Sequence, residues 1–136
     1  MAISTNRYDV MNNPYLNYQS QSIQTMTQGE MIQALFEGLL KQCTIAIMHI
    51  ENRDTSQAHT AIVKAQDIVM YLASTLNPKV ALSDNLFSLY DYFGSQLVEA
   101  NIKKETSYIQ VILPLIEDLK ATFHQADKLN RQNSVK

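Results

Sequence analysis

The side chains best suited to catalysis or metal binding are few in this sequence and widely spaced. The three histidines, His49, His59 and His124, form neither Glu-x-x-His pairs nor another metal-ligand spacing. The one cysteine, Cys43, has no base beside it in the sequence that would activate its thiol. No glycine-rich phosphate-binding loop occurs. The sequence therefore predicts no metal site, no cofactor and no nucleophilic catalysis.

Acid–base chemistry and phosphate relay have only weak candidates. Glu30, Glu37 and Glu51 fall on the first predicted helix. A solvent-exposed helix face explains these carboxylates more simply than acid–base catalysis does. His59, near the start of the second predicted helix, is the one candidate for a phosphorelay histidine, and it lacks the adjacent lysine and glycine that such sites usually carry. An enzyme or phosphorelay function is therefore the third hypothesis, behind two binding functions.

Length and composition favour a soluble helical domain. The chain has 136 residues, which argues for one domain, and its three glycines and three prolines favour long helices over a turn-rich β fold. Its formal net charge of −2 provides no electrostatic footprint for nucleic acid. No apolar core of a signal peptide begins the chain, and no apolar run approaches the roughly 20 residues that cross a bilayer. We expect a cytoplasmic protein without nucleic-acid binding or membrane insertion.

Four segments carry apolar residues at spacings of three and four, which is the period of one helix face. The four stripes run from Ile32 to Ile50, Ala58 to Leu76, Leu86 to Ala100 and Tyr108 to Phe123. Because short turns join them, the predicted fold is an all-α, antiparallel four-helix bundle. The predicted divisions are a mobile N-terminal arm or short cap helix at 1–26, the bundle at 27–128 and a polar tail at 129–136.

Helix boundaries are predicted from capping residues. Thr27, with Glu30 three residues later, has the pattern of a capping box at the start of the first long helix. Thr55 or Ser56 is predicted to cap the second helix, and Ser83 the third.

Two prolines predict where helices end or bend. Asn77-Pro78 should stop the second helix, since the residue before a proline avoids the α region. Pro114 lies inside the fourth stripe and predicts a kink there, because the apolar phase survives across it. The alternative is a break, with the helix resuming at Leu115.

More apolar residues are present than one bundle core needs. By helical phase, the surplus positions are Met31, Leu40, Ile45, Met48, Val63, Met70, Tyr71, Phe87, Tyr92, Val98 and Val111. Contiguous apolar grooves for a partner helix would explain them, and methionine adapts to several partner shapes. A wider core combined with a homodimer interface explains them equally well at this point. The predicted partner contacts from this set are Leu40, Met48, Val63, Met70, Phe87, Tyr92 and Val98.

Five stretches, in order and at compatible spacings, resemble the FliS family of flagellar secretion chaperones. They are Asn13-Pro14-Tyr15-Leu16-Asn17-Tyr18 with Ile23-Gln24-Thr25, Leu35-Phe36-Glu37-Gly38, Lys64-Ala65-Gln66-Asp67-Ile68, Asn85-Leu86 with Leu89-Tyr90-Asp91-Tyr92, and Leu97 with Glu99-Ala100-Asn101. The resemblance covers most of the chain, from about Asn13 to Phe123. Gly94-Ser95-Gln96 departs from the pattern, because it stands where the family commonly has arginines.

The resemblance implies a cytoplasmic export chaperone. Such a protein would bind the C-terminal helical segment of flagellin, prevent its premature polymerisation and aid its delivery to flagellar export gate components. Another bundle adaptor or regulator, with a different secretion or signalling partner, is the alternative.

The N-terminal arm is a further predicted contact region. Tyr15, Tyr18 and Ile23 are spaced to dock as a small apolar patch, either as a removable cover of a client groove or as a permanent cap on the bundle end.

Overall fold

The computed structural model describes residues 26–135, with side chains as far as Gln132, and this part of the chain is helical without strands. The helices are α1 (Gln28–Glu51), α2 (Thr55–Ser74), α3 (Leu82–Lys103), the single turn α4 (Ser107–Gln110) and α5 (Leu113–Val135). The predicted all-α fold with four long helices is confirmed.

Neighbouring long helices pack antiparallel. α1 packs against α2 and α5, α2 packs against α3, and α3 also contacts α4. The start of α1 meets the end of α5, where Arg131 lies 3.8 Å from Glu30. The start of α2 meets the end of α3, where the side-chain amide of Asn101 donates to His59 Nδ1 over 2.9 Å.

The core is continuous through the bundle and follows the predicted stripes. Phe36, Leu39, Ile62, Phe93 and Leu97 are fully buried within one apolar cluster. The Phe36 ring also contacts the Phe123 ring of α5, with 5.4 Å between their centroids. This close-packed interior holds in place the helix faces that point outward.

The N-terminal capping of α1 is as predicted, and that of α2 is not. The Thr27 hydroxyl accepts from the backbone N–H of Glu30 at 3.1 Å, while the Glu30 carboxylate accepts from the Thr27 N–H at 3.3 Å. For α2 the cap is Asp54, whose carboxylate accepts from the Gln57 N–H. The prediction of Thr55 or Ser56 is therefore wrong by one or two residues, because the aspartate just before them supplies the same oxygen acceptor.

The connection between α2 and α3 also differs from the prediction. α2 ends at Ser74, before Asn77-Pro78, and the Thr75 hydroxyl donates to the Leu72 carbonyl in its last turn. Ser83 does not cap α3, because it lies inside the helix and its hydroxyl donates to the Asn77 carbonyl. Ser83 thus stabilises the connecting loop.

Pro114 marks a break and not the predicted kink. α4 ends at Gln110, and α5 begins at Leu113, two residues before the Leu115 of the alternative. Pro114 lies in the first turn of α5, where its missing N–H would have no helical partner in any case. The apolar phase survives the break because the backbone at Val111 stays in the helical region, and Ile109, Ile112 and Ile116 are all buried.

α5 continues through most of the predicted polar tail, as far as Val135. Leu129 in this stretch is exposed.

α1 has the length and apolar content of a membrane-spanning helix. In the bundle the apolar stripe of α1 packs on α2 and α5. A core helix of a soluble protein can have the same length and apolar content.

Burial of Cys43 predicts a loss of stability at alkaline pH. Desolvation raises the pKa of the Cys43 thiol from its ordinary value of 9.0 to about 12. A thiol whose pKa is raised by folding stabilises the native state fully below the unfolded pKa, and this contribution is lost as pH rises from about 9 towards about 12. Urea unfolding should therefore show Cys43→Ala losing less stability than the natural chain between about pH 8 and about pH 10.5. Equal losses in the two proteins would contradict the assignment to Cys43.

Candidate partner-binding site

The structure separates the predicted partner contacts into exposed and half-buried residues. Large exposed fractions are found for Met70 (60%), Phe87 (57%), Met48 (46%), Val98 (44%) and Tyr92 (42%). Leu40 and Val63 are only half-buried positions on the flanks of the core. Tyr15, Tyr18 and Ile23 lie outside the described residues.

Three of the exposed side chains, Met70, Phe87 and Val98, line one open groove between α2 and α3. This α2–α3 groove has a volume of about 570 Å³. Its other lining residues are Gln66, Asp67, Val69, Ala73, Tyr90, Asp91, Gly94 and Ser95. Exposed apolar side chains that converge on one groove are typical of a surface that binds a partner.

Helical spacing explains why these residues line the groove. Phe87, Asp91, Gly94 and Val98 follow one another at four, three and four residues along α3, which places them on one face. The buried residues Phe93 and Leu97 lie on an adjacent face and anchor α3 in the core. α3 therefore packs in the core with one face and presents a second face, which carries Phe87 and Val98, to solvent.

Tyr90 forms part of the floor of the α2–α3 groove. Its side chain is 2% exposed, and burial raises the pKa of its hydroxyl from 10.0 to about 12. A tyrosine hydroxyl is uncharged at neutral pH in any case, and the raised pKa keeps the floor of the groove uncharged into the alkaline range, which suits an apolar occupant.

Two carboxylates line the groove. Asp67 stands on the α2 side and Asp91 on the α3 side, and within the described chain no lysine, arginine or histidine lines the groove.

The exposed apolar side chains of the groove form an apolar strip, and this strip extends beyond the groove at the end where α2 begins and α3 ends. Val63 lies one turn before Gln66 on α2, and Ile102 lies one turn after Val98 on α3. Ile102 is 71% exposed. Ile102 is not among the predicted surplus positions, although its spacing of four from Val98 was a usable signal.

Tyr92 and Met48 do not line the α2–α3 groove. Tyr92 is five residues after Phe87, so it projects from a different side of α3, where its ring lies 6.4 Å from the Phe93 ring. Met48 is exposed in the last turn of α1. The predicted contact set is therefore spread over more than one surface of the bundle.

A second groove, between α1 and α5, contains Leu40. It is larger, at about 1020 Å³, but mostly polar side chains line it. Ion pairs join its lining residues, with Lys120 lying 3.4 Å from Glu37 and Arg131 lying 2.9 Å from Asp127. We therefore regard the α2–α3 groove as the better apolar binding surface.

The residues considered for chemistry stay apart. Among residues 26–135 no three histidine, cysteine, aspartate or glutamate side chains cluster in a way that could hold a metal ion. His59 is exposed, and Asn101 binds its Nδ1. Cys43 is fully buried.

The fold and the groove define a class of protein, namely a helical bundle with an apolar surface suited to a partner helix. Residues 11–130 match the family model described as Flagellar protein FliS. The chain therefore belongs to the FliS family. It is 36% identical over 121 residues to the Flagellar secretion chaperone FliS of Bacillus subtilis (strain 168), which covers 89% of this chain and 91% of that protein. It is 21% identical over 101 residues to the Flagellar secretion chaperone FliS of Escherichia coli (strain K12), which covers 72% and 74% respectively.

Proposed function

We propose that this chain is a cytoplasmic flagellar secretion chaperone that binds the C-terminal helical segment of flagellin. It would hold flagellin back from premature polymerisation and aid its delivery to the flagellar export apparatus. Membership of the FliS family supports the chaperone role. The observation that carries the binding role is the open α2–α3 groove with Met70, Phe87 and Val98 exposed along it.

The chemistry of the groove fits an amphipathic helix. Such a helix lays its apolar face into an apolar channel and keeps its polar face in water. Apolar faces are also what flagellin helices need for packing against one another. A chaperone that covers those faces therefore competes directly with polymerisation.

The energetics require a contact longer than the groove alone. Ordering a disordered segment costs about 2–5 kcal/mol of the gross interaction energy. The extension through Val63 and Ile102 lengthens the apolar strip, and Tyr92 and Met48 are further contacts for a segment that wraps around the bundle. Leu40 would add a contact at the α1–α5 groove.

The N-terminal arm stays a proposed contact. It joins the bundle at Met26, which lines the α1–α5 groove. If Tyr15, Tyr18 and Ile23 form a removable cover, hydrogen exchange in the arm should become faster when client binds. Unchanged or slower exchange would favour the permanent cap.

Calorimetry with flagellin from the organism that produces this chain tests the proposed function. We expect the full chain to bind full-length flagellin, and also a synthetic peptide of its C-terminal segment, with a negative heat-capacity change from apolar burial. Circular dichroism should show a gain of helix on mixing. Flagellin that lacks the C-terminal segment is the control and should not bind.

Two results would contradict the proposal. Absence of binding at concentrations on the order of 10 µM would exclude a useful affinity for this client. Equal binding of truncated and full-length flagellin would exclude the C-terminal segment as the contact. Light scattering on the free chain separately tests the homodimer, which would cover the same apolar surface.

A further inference from the structure

Gly94 is a glycine that the free bundle does not need. It lies in the middle of the 22-residue helix α3, where glycine is less stable than alanine. It does not have a positive φ. A Cβ atom added at Gly94 would meet no other group within 4 Å. Neither backbone conformation nor internal packing therefore explains the missing side chain.

The position of Gly94 suggests a reason for the absence of a side chain. Gly94 lines the α2–α3 groove together with the small side chains of Ala73 and Ser95. Phe87 and Val98, on either side of it along α3, are large and exposed. The groove thus has a shallow notch at Gly94, at a point where a partner can approach the backbone of α3 closely.

A negative charge lies one turn from this notch. Asp91 is exposed, precedes Gly94 by three residues and lines the same groove. No basic side chain is among the groove's lining residues in the described part of the chain. The local charge therefore favours a cationic group on the occupant.

We propose that Gly94 and Asp91 together select the helix that docks in the α2–α3 groove. This inference rests on the proposed function and names the features of the client that the groove recognises. A large apolar side chain of the client seats in the notch against Gly94. A lysine or arginine of the client, three or four residues away on the same helix face, pairs with Asp91, since residues at that spacing are neighbours on a helix.

Substitution of Gly94 tests the notch. Gly94→Ala should raise the Tm of the free chain by about 2–6 °C, because alanine favours the helix and the space for its Cβ is open. Gly94→Leu should fold but bind the synthetic flagellin C-terminal peptide at least about tenfold more weakly, because the leucine fills the notch. Ser88→Leu is the matched control, since Ser88 is exposed on α3 and does not line the groove. It should bind as the natural chain does.

Charge reversal at Asp91 tests the ionic contact. Asp91→Lys should weaken peptide binding at low salt by more than Asp91→Asn, and the difference should shrink in about 0.5 M salt. Asp118→Lys, an exposed carboxylate on α5 away from both grooves, is the control. Peptides with single Lys or Arg residues changed to Glu should include one that restores binding to Asp91→Lys.

The outcomes separate this inference from the proposed function. If the natural chain binds the peptide but Gly94→Leu binds equally well, the notch is wrong and the chaperone function stands. If Asp91→Lys and Asp118→Lys behave alike, the ionic contact is wrong. If the natural chain does not bind the peptide at all, the proposed function fails and this inference fails with it.

Discussion

Phe93→Ala is expected to lower the free energy of unfolding by about 3–5 kcal/mol, the usual cost of truncating a phenylalanine in a close-packed core. Phe93 is fully buried, and its ring contacts the rings of Tyr90 and Tyr92 at 6.3 and 6.4 Å. The substitution leaves a cavity at the point where α3 is anchored. Urea unfolding monitored by circular dichroism measures the loss.

Ser88→Ala is the matched control for this result. Ser88 lies on the same helix and is exposed, so its substitution should change the free energy of unfolding by no more than about 0.5 kcal/mol. A loss below about 1 kcal/mol for Phe93→Ala would show that α3 does not pack as described.

The core could be predicted from the sequence because burial follows a local period. Residues spaced at three and four share a helix face wherever the helix lies in the bundle. Phe36, Ile62, Phe93 and Ile116 fall on the four predicted stripes at these spacings, and all four are fully buried. The capping box at Thr27 is equally local and was also predicted correctly.

Helix ends were less predictable because several adjacent residues can cap the same helix. Asp54, Thr55 and Ser56 all carry a suitable oxygen, and only the path of the chain selects Asp54. Ser83 was a reasonable cap by type, but its hydroxyl donates to the carbonyl of Asn77. At Pro114 the surviving periodicity favours a continuous, kinked helix, whereas the turn at 111–112 keeps the phase and still breaks the helix.

The candidate site was predicted in part, since phase shows which residues leave the core but not which of them meet. Phe87, Met70 and Val98 were predicted as surplus apolar positions, and their meeting in one groove depends on α2 packing against α3. Tyr92 satisfied the same rule and lies on another side of α3. Gly94 carried no apolar signal, so its place in the groove becomes visible only in the structure.

Phe87→Ala is expected to have the largest effect on client binding with little effect on stability. Large aromatic side chains that a partner buries are frequent hot spots, and the loss of one costs about 2 kcal/mol or more. We therefore expect the affinity for the flagellin C-terminal peptide to fall by about 30-fold or more, measured by calorimetry. Since Phe87 is 57% exposed in the free chain, its free energy of unfolding should change by no more than about 0.5 kcal/mol.

Leu129→Ala and Tyr92→Ala test which surface of the bundle the client contacts. Leu129 is 49% exposed on α5 and lines neither groove, so its truncation should leave binding unchanged. Tyr92→Ala should weaken binding by less than Phe87→Ala, because Tyr92 would contact only the part of the client that wraps beyond the groove. The reverse order, with Tyr92→Ala the more damaging, would move the main client contact to the other side of α3. Together with Phe93→Ala, which lowers stability through the core, these variants separate the face of α3 that holds the bundle together from the face that binds the client.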